Sequence, residues 1–261
     1  MTEKPEEDSK AERAPRSQTL VRGLEILDSV AERAHTIADI AAMTGLTYPT
    51  VHRIVSVLVE RRYLKVDNAR EFSLGPRLIE LGFAAYSRAD IVQIARPILE
   101  ALSRKTHDTV HLSQREGREV VYLDKLRGAR PVEISSRIGG RKPAISTGVG
   151  KAMLLDEPDN TLLEIYRQDH LLMAHDCGET EWIGMMRQYR DGGYAYDLGE
   201  NEPSIRCVAA PIRDATGRIV ASVSVSSTQA YMNPDRMTAL IPEVQAAAQA
   251  ISAELGGGIA P

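Results

Sequence analysis

The segment STGVGKA at residues 146–152 contains the glycines and the lysine of a phosphate-binding loop. Such a loop also needs a glycine where Ile145 stands, and a serine or threonine where Ala152 stands, to hold phosphate and magnesium. We therefore interpret the segment as a tight turn from a strand into a helix. The exposed NH groups at the start of that helix, on Gly148 and Val149, can still bind a small anion.

Two other side-chain types, histidine and cysteine, could support metal binding or catalysis. His107 and His111 have the four-residue spacing of a helical metal pair, but the pattern at 109–112 predicts a strand. Residues four apart in a strand are separated by about 13 Å, at about 3.3 Å per residue, so these two cannot share one metal ion. Cys207 lies in the apolar run CVAA, where a thiol is usually an inert small side chain. We predict no metal, no cofactor and no catalytic residue.

Three serines, Ser222, Ser224 and Ser226, alternate with valines near the end of the chain. In a strand, alternate side chains point to one face, so their hydroxyl groups share that face. Two interpretations are open on this pattern alone. The hydroxyls either cover a solvated face of a sheet or form a row of hydrogen-bonding groups that lines a polar cavity.

The composition indicates a folded protein of two domains. The chain has 261 residues, of which 43% are hydrophobic and 26% charged, close to the averages for globular proteins. No apolar run reaches the length of a membrane span, and the N-terminus is charged rather than apolar, so we expect no membrane partner and a cytoplasmic location. The net charge of -4 does not favour nucleic acid, although residues 47–78 carry more basic than acidic side chains.

The first part of the chain has the order of elements of a winged helix-turn-helix. Residues 1–16 are a charged segment that we predict to be a disordered tail. Residues 17–75 contain two helical patterns, a turn at Gly45, a third helix that Thr47 can cap, and a hairpin around residues 67–70. The pattern at 76–90 predicts a linker helix. A third helix of this kind enters the major groove of double-stranded DNA and a wing contacts its backbone or minor groove. The residues predicted to contact DNA are Thr47, Tyr48, Thr50, His52 and Arg53 on the helix and Arg70 on the wing.

Residues 91–261 predict an α+β domain with an antiparallel sheet. Strand patterns come in hairpins with helices between them, rather than in regular strand-helix alternation. One of the predicted strands is VEISSRI at 132–138. A final alanine-rich helix is predicted from about Pro234 to Leu255.

Both halves of the chain resemble one family. The segments SQTLVRGLEILD, TIADIAAMTGLTYPTVHRIVSVLVERRYL and FSLGPRLIELG are similar to the N-terminal half of the IclR family of bacterial transcription regulators. The segments SRIGGRKPAISTGVGKAMLL and GYAYDLGENEPSIRCVAAPIRDATGRIVASVSVSS are similar to its effector-binding half. The resemblance implies a winged helix-turn-helix, a linker helix and a C-terminal GAF-like domain with an antiparallel sheet and flanking helices. It also implies homodimers or dimers of dimers.

The resemblance also implies the position of an effector pocket. The residues that match the family's pocket are Gly148, Val149, Asp197, Ile205, Cys207, Ser224 and Ser226. This match favours the cavity interpretation of the serines. One departure is Ser204, where family members commonly have glycine; the sequence Pro203-Ser204 stiffens that loop. Residues 109–155 look most like regulators that sense a 2-keto-3-deoxy sugar acid.

These observations predict a repressor or activator that binds a pseudo-palindromic operator and responds to a small carboxylate, with a sugar acid as the favoured effector. Arg137, on the predicted strand at 132–138, is a candidate bidentate clamp for the carboxylate, with a surface position as its alternative. An aromatic acid is the alternative effector. Two other classes stay open: an enzyme that acts on the carboxylate, and a ligand-binding module whose helix-turn-helix pairs with protein.

Overall fold

The computed structural model of the chain describes residues 17–175 and 177–257. These residues form two compact units, and the boundary along the chain lies between Arg88 and Ala89. The predicted tail at 1–16 lies outside the described residues. Within the described ranges, no helix combines the length and the apolar character that a membrane crossing requires.

The N-terminal unit has the predicted order of helices followed by a hairpin. Its elements are α1 (Gln18–Ser29), α2 (Ile37–Thr44), α3 (Tyr48–Glu60), β1 (Leu64–Val66), β2 (Phe72–Leu74) and α4 (Pro76–Tyr86). Strands β1 and β2 pair antiparallel. A small core fills the space between the three helices and the hairpin, and its fully buried members include Ile26, Ile40, Val51, Val55 and Leu64. The predicted winged helix-turn-helix is confirmed.

Local sequence signals explain where α2 begins and ends. Thr36 and Asp39 form a capping box, in which Asp39 N donates to Thr36 Oγ1 at 3.3 Å and Thr36 N donates to Asp39 Oδ2 at 3.0 Å. Gly45 ends the helix with a φ of 68°, a left-handed conformation that costs glycine nothing. The turn between α2 and α3 is therefore fixed by residues within a few positions of it.

The apolar face of α1 differs from the predicted one. The spacing of Leu20, Leu24, Leu27 and Ala31 predicts one apolar face. The buried residues are instead Ile26 and Val30, while Leu20 and Leu24 are 63% and 52% exposed and Leu27 is partly buried against the core. The helix therefore has a second apolar face, which the rest of the N-terminal unit leaves exposed.

The C-terminal unit is built on an antiparallel sheet of the order β5-β4-β3-β8-β7-β6. Its strands are β3 (Thr109–Glu116), β4 (Glu119–Leu126), β5 (Arg141–Pro143), β6 (Ala195–Asp197), β7 (Ile205–Arg213) and β8 (Ile219–Thr228). Its helices are α5 (Ile91–Thr106), α6 (Gly148–Met153), α7 (Asp159–Asp169), α8 (Glu179–Gly192) and α9 (Pro234–Glu254), with a short 3-10 helix at His170–Leu172. The predicted α+β class is confirmed.

The two faces of this sheet carry different side chains. On one face, Val110, Leu112, Val223 and Val225 pack with α5 and α9 in an apolar core. On the other face, a second core contains residues of β4, α6, α7 and α8. The serines of β8 alternate with its valines, so they point toward the α6 side of the sheet. Polar groups and a short helix therefore face each other on one side of the sheet.

The predicted strand at 132–138 is wrong. This segment has no regular secondary structure, and the edge strand is instead β5, which pairs with β4 through Lys142 and Val120. The backbone of the segment is held by a side chain, because Lys125 Nζ donates to the carbonyls of Ile134 and Ser136, both at 2.6 Å. These carbonyls are satisfied without a strand partner, and the chain leaves the sheet edge.

Candidate functional site

A cavity lies on the α6 side of the sheet in the C-terminal unit. The cavity is partly open to solvent. Its walls come from β3, β4, β5, β6, β7, β8, α6 and two loops, and are formed by His111, Tyr122, Ile134, Ser135, Ser136, Lys142, Thr147, Gly148, Val149, Asp197, Asn201, Glu202, Ile205, Cys207, Ser224 and Ser226. Most of these side chains carry hydroxyl, amide, imidazole, ammonium or carboxyl groups. Such a lining suits a polar ligand.

Close backbone contact fixes the position of α6 against β6 and β7. A Cβ atom built on Gly148 would lie 2.4 Å from Cys207 Sγ and 3.2 Å from the backbone N of Asp197. Only glycine allows this approach without displacement of its neighbours. Thr147 caps the helix, since its Oγ1 accepts from Gly150 N at 3.1 Å. This wall of the cavity is therefore rigid.

Hydroxyl groups and a histidine form the opposite wall. His111 Nε2 lies 2.7 Å from Ser136 Oγ, and its Nδ1 lies 3.4 Å from Ser226 Oγ, which is 3.5 Å from Ser224 Oγ. Burial, followed by the charge of Lys125, lowers the pKa of His111 to about 3. The imidazole is therefore neutral at physiological pH. A neutral imidazole donates from one nitrogen and accepts at the other, so this wall can both donate to and accept from a ligand.

An acidic group at the end of β6 is held by a buried network. Asp197 Oδ1 accepts from Gly199 N at 2.9 Å and from Glu200 N at 3.0 Å. Glu200 in turn forms an ion pair with Lys151, which is completely buried. Burial alone would raise the pKa of Glu200, but the positive charge of Lys151 and a hydrogen bond from Asp197 outweigh it and hold that pKa below its ordinary value.

The protonation of Asp197 follows from this network. Burial raises the pKa of Asp197 to about 7 against the lowering effect of Lys151, and the charge on Glu200 raises it further. Near neutral pH the carboxyl group therefore exists in both forms. The ionised form of Asp197 only accepts hydrogen bonds, but its protonated form can also donate to a ligand oxygen.

Cys207 is a buried residue of the cavity lining. Burial, together with the charge of Asp197, raises the pKa of the Cys207 thiol, and the group stays protonated. A protonated thiol is a poor nucleophile, which agrees with the expectation that Cys207 serves as a small apolar side chain.

The loops at 132–138 and 198–204 meet at the mouth of the cavity. Ser135 Oγ donates to Glu202 Oε2 at 3.1 Å. On the first loop, Ile134 is buried against the cavity, while Arg137 is exposed and is not among the residues that line it. The strand predicted for Arg137 is wrong, because the chain there leaves the sheet, and Arg137 has the surface position that was the alternative to a carboxylate clamp.

All the other predicted effector residues lie together at the cavity: Gly148, Val149, Asp197, Ile205, Cys207, Ser224 and Ser226. Further residues line the cavity that the sequence does not predict, among them His111, Tyr122, Lys142 and Asn201. His111 could have been found from the alternation in TVHL, since a histidine between two buried apolar residues must face the other side of its strand. The loop residues carry no such pattern.

The N-terminal unit presents the predicted DNA-contacting side chains on one helix. Thr47, Tyr48, His52 and Arg53 are exposed and Thr50 is half-buried. Thr47 and Thr50 are joined through their Oγ1 atoms at 2.9 Å, which orders the start of α3. The opposite side of α3 is buried through Val51, Ile54 and Val55. An amphipathic helix with exposed polar groups at its N-terminal end can present them to base edges.

The wing turn is held by one aspartate. Asp67 Oδ1 accepts from the backbone N of Ala69 and of Glu71, both at 2.9 Å. Arg70 is exposed at the turn and has a φ of 61°, a left-handed conformation in which its side chain projects from the tip. The predicted hairpin around residues 67–70 is confirmed, and it carries a positive charge at its end.

An apolar groove lies between α1 and α3. Leu20, Leu24 and Leu27 line it from α1, and Val57 and Leu58 line it from α3. Further exposed apolar side chains occur on α4, where Ile79 is 75% and Phe83 72% exposed. Leu27 and Leu58 also pack against the core of the N-terminal unit, whereas Leu20, Leu24 and Val57 in the groove and Ile79 and Phe83 on α4 are exposed.

Comparison with known proteins agrees with the arrangement of both units. Residues 19–68 match the IclR helix-turn-helix domain, and residues 83–253 match the family described as "Bacterial transcriptional regulator IclR C-terminal". The chain belongs to the IclR family of bacterial transcriptional regulators. A regulator of this family binds DNA and responds to a small-molecule effector; these families comprise transcriptional regulators rather than enzymes.

Individual relatives extend over nearly the whole chain. The HTH-type transcriptional regulator XynR of Escherichia coli is 34% identical, over 93% of this chain and 98% of XynR. The HTH-type transcriptional regulator BhcR of Paracoccus denitrificans is 32% identical, over 94% of this chain and 88% of BhcR. The crystal structure of the Agobacterium tumefaciens repressor BlcR is similar with a TM-score of 0.78 and 27% identity, and covers 92% of this chain and 97% of BlcR.

Proposed function

We propose that the cavity of this IclR-type regulator binds a small hydroxylated or keto carboxylate, with a sugar acid as the favoured class. We further propose that binding lowers the affinity of a homodimer, or a dimer of dimers, for a pseudo-palindromic operator. The coupling expected between two such sites is about 1–3 kcal/mol, or roughly 5- to 150-fold in affinity.

One observation carries the choice of a hydroxylated ligand: the lining combines hydroxyl groups with a neutral imidazole. Ser224, Ser226 and His111 supply groups that both donate and accept. Ligand hydroxyls need such partners, because each is a donor and an acceptor at once. An aromatic acid would instead favour broad apolar walls, and Tyr122 is the one phenolic ring among the lining residues.

Two surfaces of the N-terminal unit support the proposed oligomer. The exposed Ile79 and Phe83 on α4 and the apolar groove beside α1 are apolar areas that association would cover. A two-fold symmetric dimer presents two copies of α3, which suits an operator with two-fold symmetry. Sedimentation velocity is expected to give a dimer or tetramer, and a monomer would contradict the proposal.

Calorimetry on the purified full chain tests the ligand. We expect wild type to bind at least one of gluconate, galactonate, xylonate and 2-keto-3-deoxygluconate. Asp197→Ala and Ser226→Ala should weaken that binding, whereas Ser227→Ala is the matched control, because Ser227 is buried in the same strand but does not line the cavity. Binding of flat aromatic acids alone, or equal binding by both cavity variants, would contradict the assignment.

Gel shift with the promoter DNA beside the protein's own gene tests the DNA-binding role. Arg53→Ala is expected to cost about 1–3 kcal/mol, with relaxed sequence preference if Arg53 contacts a guanine, and with uniform weakening if it contacts phosphate. Operator affinity equal to wild type in Arg53→Ala would exclude this residue from the interface.

A further inference from the structure

The lining of the cavity has more acidic than basic side chains. Two carboxyl groups line it, those of Asp197 and Glu202, and one ammonium group, that of Lys142. His111 adds no charge, because burial keeps it neutral. A ligand carboxylate in this cavity therefore needs a cation that can offset two acidic neighbours.

Four other cations near the cavity, Lys125, Arg141, Lys151 and Arg206, are already bound to protein groups. Lys125 donates to two carbonyls of the 132–138 loop, and Lys151 is paired with Glu200. Arg141 is paired with Glu116 and Glu119, and Arg206 donates to the carbonyls of Pro203 and Ile205. Movement of any of these toward a ligand would break an existing interaction.

Lys142 differs from these cations in both position and partners. It lies on the edge strand β5 opposite Val120, a buried residue on the α6 side of the sheet. Its neighbour Arg141 points the other way, as alternation along a strand requires. Lys142 is half-buried, and no carboxylate of the described residues lies within 4.0 Å of its Nζ atom.

We propose that Lys142 binds the carboxylate of the effector and thereby selects acids over neutral polyols of the same length. This inference rests on the effector cavity proposed above and identifies its anion-binding residue. It replaces Arg137 in that role. The helix start at Gly148 is a weaker candidate, because α6 has only six residues and its NH groups carry no full charge.

The proposal also fixes the orientation of the ligand. The carboxylate lies at the β5 side, and the hydroxyl groups extend toward Asp197 and Glu202, whose oxygens accept from them. Glu202 is held by Ser135 Oγ at 3.1 Å, so its carboxylate is directed at the mouth where the two loops meet. An acid with a hydroxylated chain has a carboxylate for Lys142 at one end and hydroxyl groups for the two carboxyl groups at the other. A neutral polyol leaves Lys142 without a counter-ion.

The test compares acids with alditols on the full-length protein. Calorimetry is run with gluconate, galactonate, xylonate and 2-keto-3-deoxygluconate, and with sorbitol, galactitol and xylitol as neutral counterparts. For the acid that wild type binds, Lys142→Gln should weaken binding roughly tenfold to a hundredfold, the usual range for loss of a hydrogen bond to a charged group. Lys142→Arg keeps the charge and should retain most of the affinity.

Arg137→Gln is the matched control, because it removes the same charge from the neighbouring loop at an exposed position outside the cavity. Its affinity should stay within about twofold of wild type, as for an ordinary surface substitution. Wild-type affinity in Lys142→Gln would overturn the proposal, and so would a wild type that binds an alditol as tightly as its acid.

If the proposed sugar-acid specificity is wrong, the wild-type protein will give a different binding result. If wild type binds only aromatic acids such as benzoate, or none of the panel, the sugar-acid assignment fails. With an aromatic acid as ligand, the same Lys142→Gln comparison still decides the role of the lysine. A loss of affinity for benzoate supports Lys142 as the anion-binding residue, and no loss refutes it.

Discussion

The contribution of the buried ion pair between Lys151 and Glu200 to the stability of the fold can be tested directly. We consider Lys151→Met, which keeps an unbranched side chain of similar length and removes the charge. In wild type the Lys151 side chain is 0% exposed and that of Glu200 is 12% exposed. The variant therefore leaves a nearly buried carboxylate without its cation.

Removal of one partner from a buried ion pair costs about 3–5 kcal/mol of the free energy of unfolding. Because Glu200 retains some access to water, we expect the lower end, about 3 kcal/mol. The cost should also depend on pH. In wild type the pKa of Glu200 lies below its ordinary value. The ion pair therefore stabilises the fold fully above the ordinary pKa, and this stabilisation is lost as the pH falls from the ordinary pKa to the lowered one.

The measurement is urea unfolding of wild type and Lys151→Met at pH 8 and pH 5. In the variant, burial raises the pKa of Glu200, which then takes up a proton at pH 5, so the loss should be smaller there than at pH 8. The double variant Lys151→Met, Glu200→Gln is the control. It removes both charges and should be more stable at pH 8 than Lys151→Met alone. A loss below about 1 kcal/mol, or one that is equal at both pH values, would refute the reasoning.

Three further predictions follow from single contacts or charges. Gly148→Ala places a Cβ 2.4 Å from Cys207 Sγ and should cost about 1–3 kcal/mol of stability in urea unfolding, whereas Gly184→Ala, with nothing within 4 Å, should stabilise α8 by about 0.5–1 kcal/mol. Arg70→Ala should lower the slope of log operator affinity against log salt by about one phosphate contact; an unchanged slope would remove the wing tip from the interface. The raised pKa of Asp197 should make stability fall as pH rises from about 4 to about 7, and Asp197→Asn should abolish this trend.

Features that depend on nearby residues could be predicted from the sequence. The capping box at Thr36, the turn at Gly45 and the wing turn at Asp67 each involve residues within four positions of one another. Alternation along a strand also placed Ser224 and Ser226 on one face. These signals are short because turns, caps and strand faces are set by local backbone geometry.

Features that depend on distant partners could not be predicted. Lys151 and Glu200 lie 49 positions apart, and no local pattern indicates that a lysine beside a glycine turn is completely buried. The segment at 132–138 has the composition of a strand, but Lys125 takes its carbonyls, so tertiary contacts override its propensity. The error in placing Arg137 follows from the same cause.

The contact between Gly148 and Cys207 has a consequence for how effector preference can diverge among paralogous regulators. At Gly148 the backbone of α6 lies against the backbone of Asp197 and the thiol of Cys207, so a larger residue at this position clashes with these atoms and cannot simply change the ligand preference. The facing loops present side chains such as Ser135, Ser136 and Asn201, which can be exchanged one at a time. We therefore expect ligand preference to evolve by substitution in these loops, around a wall that stays constant.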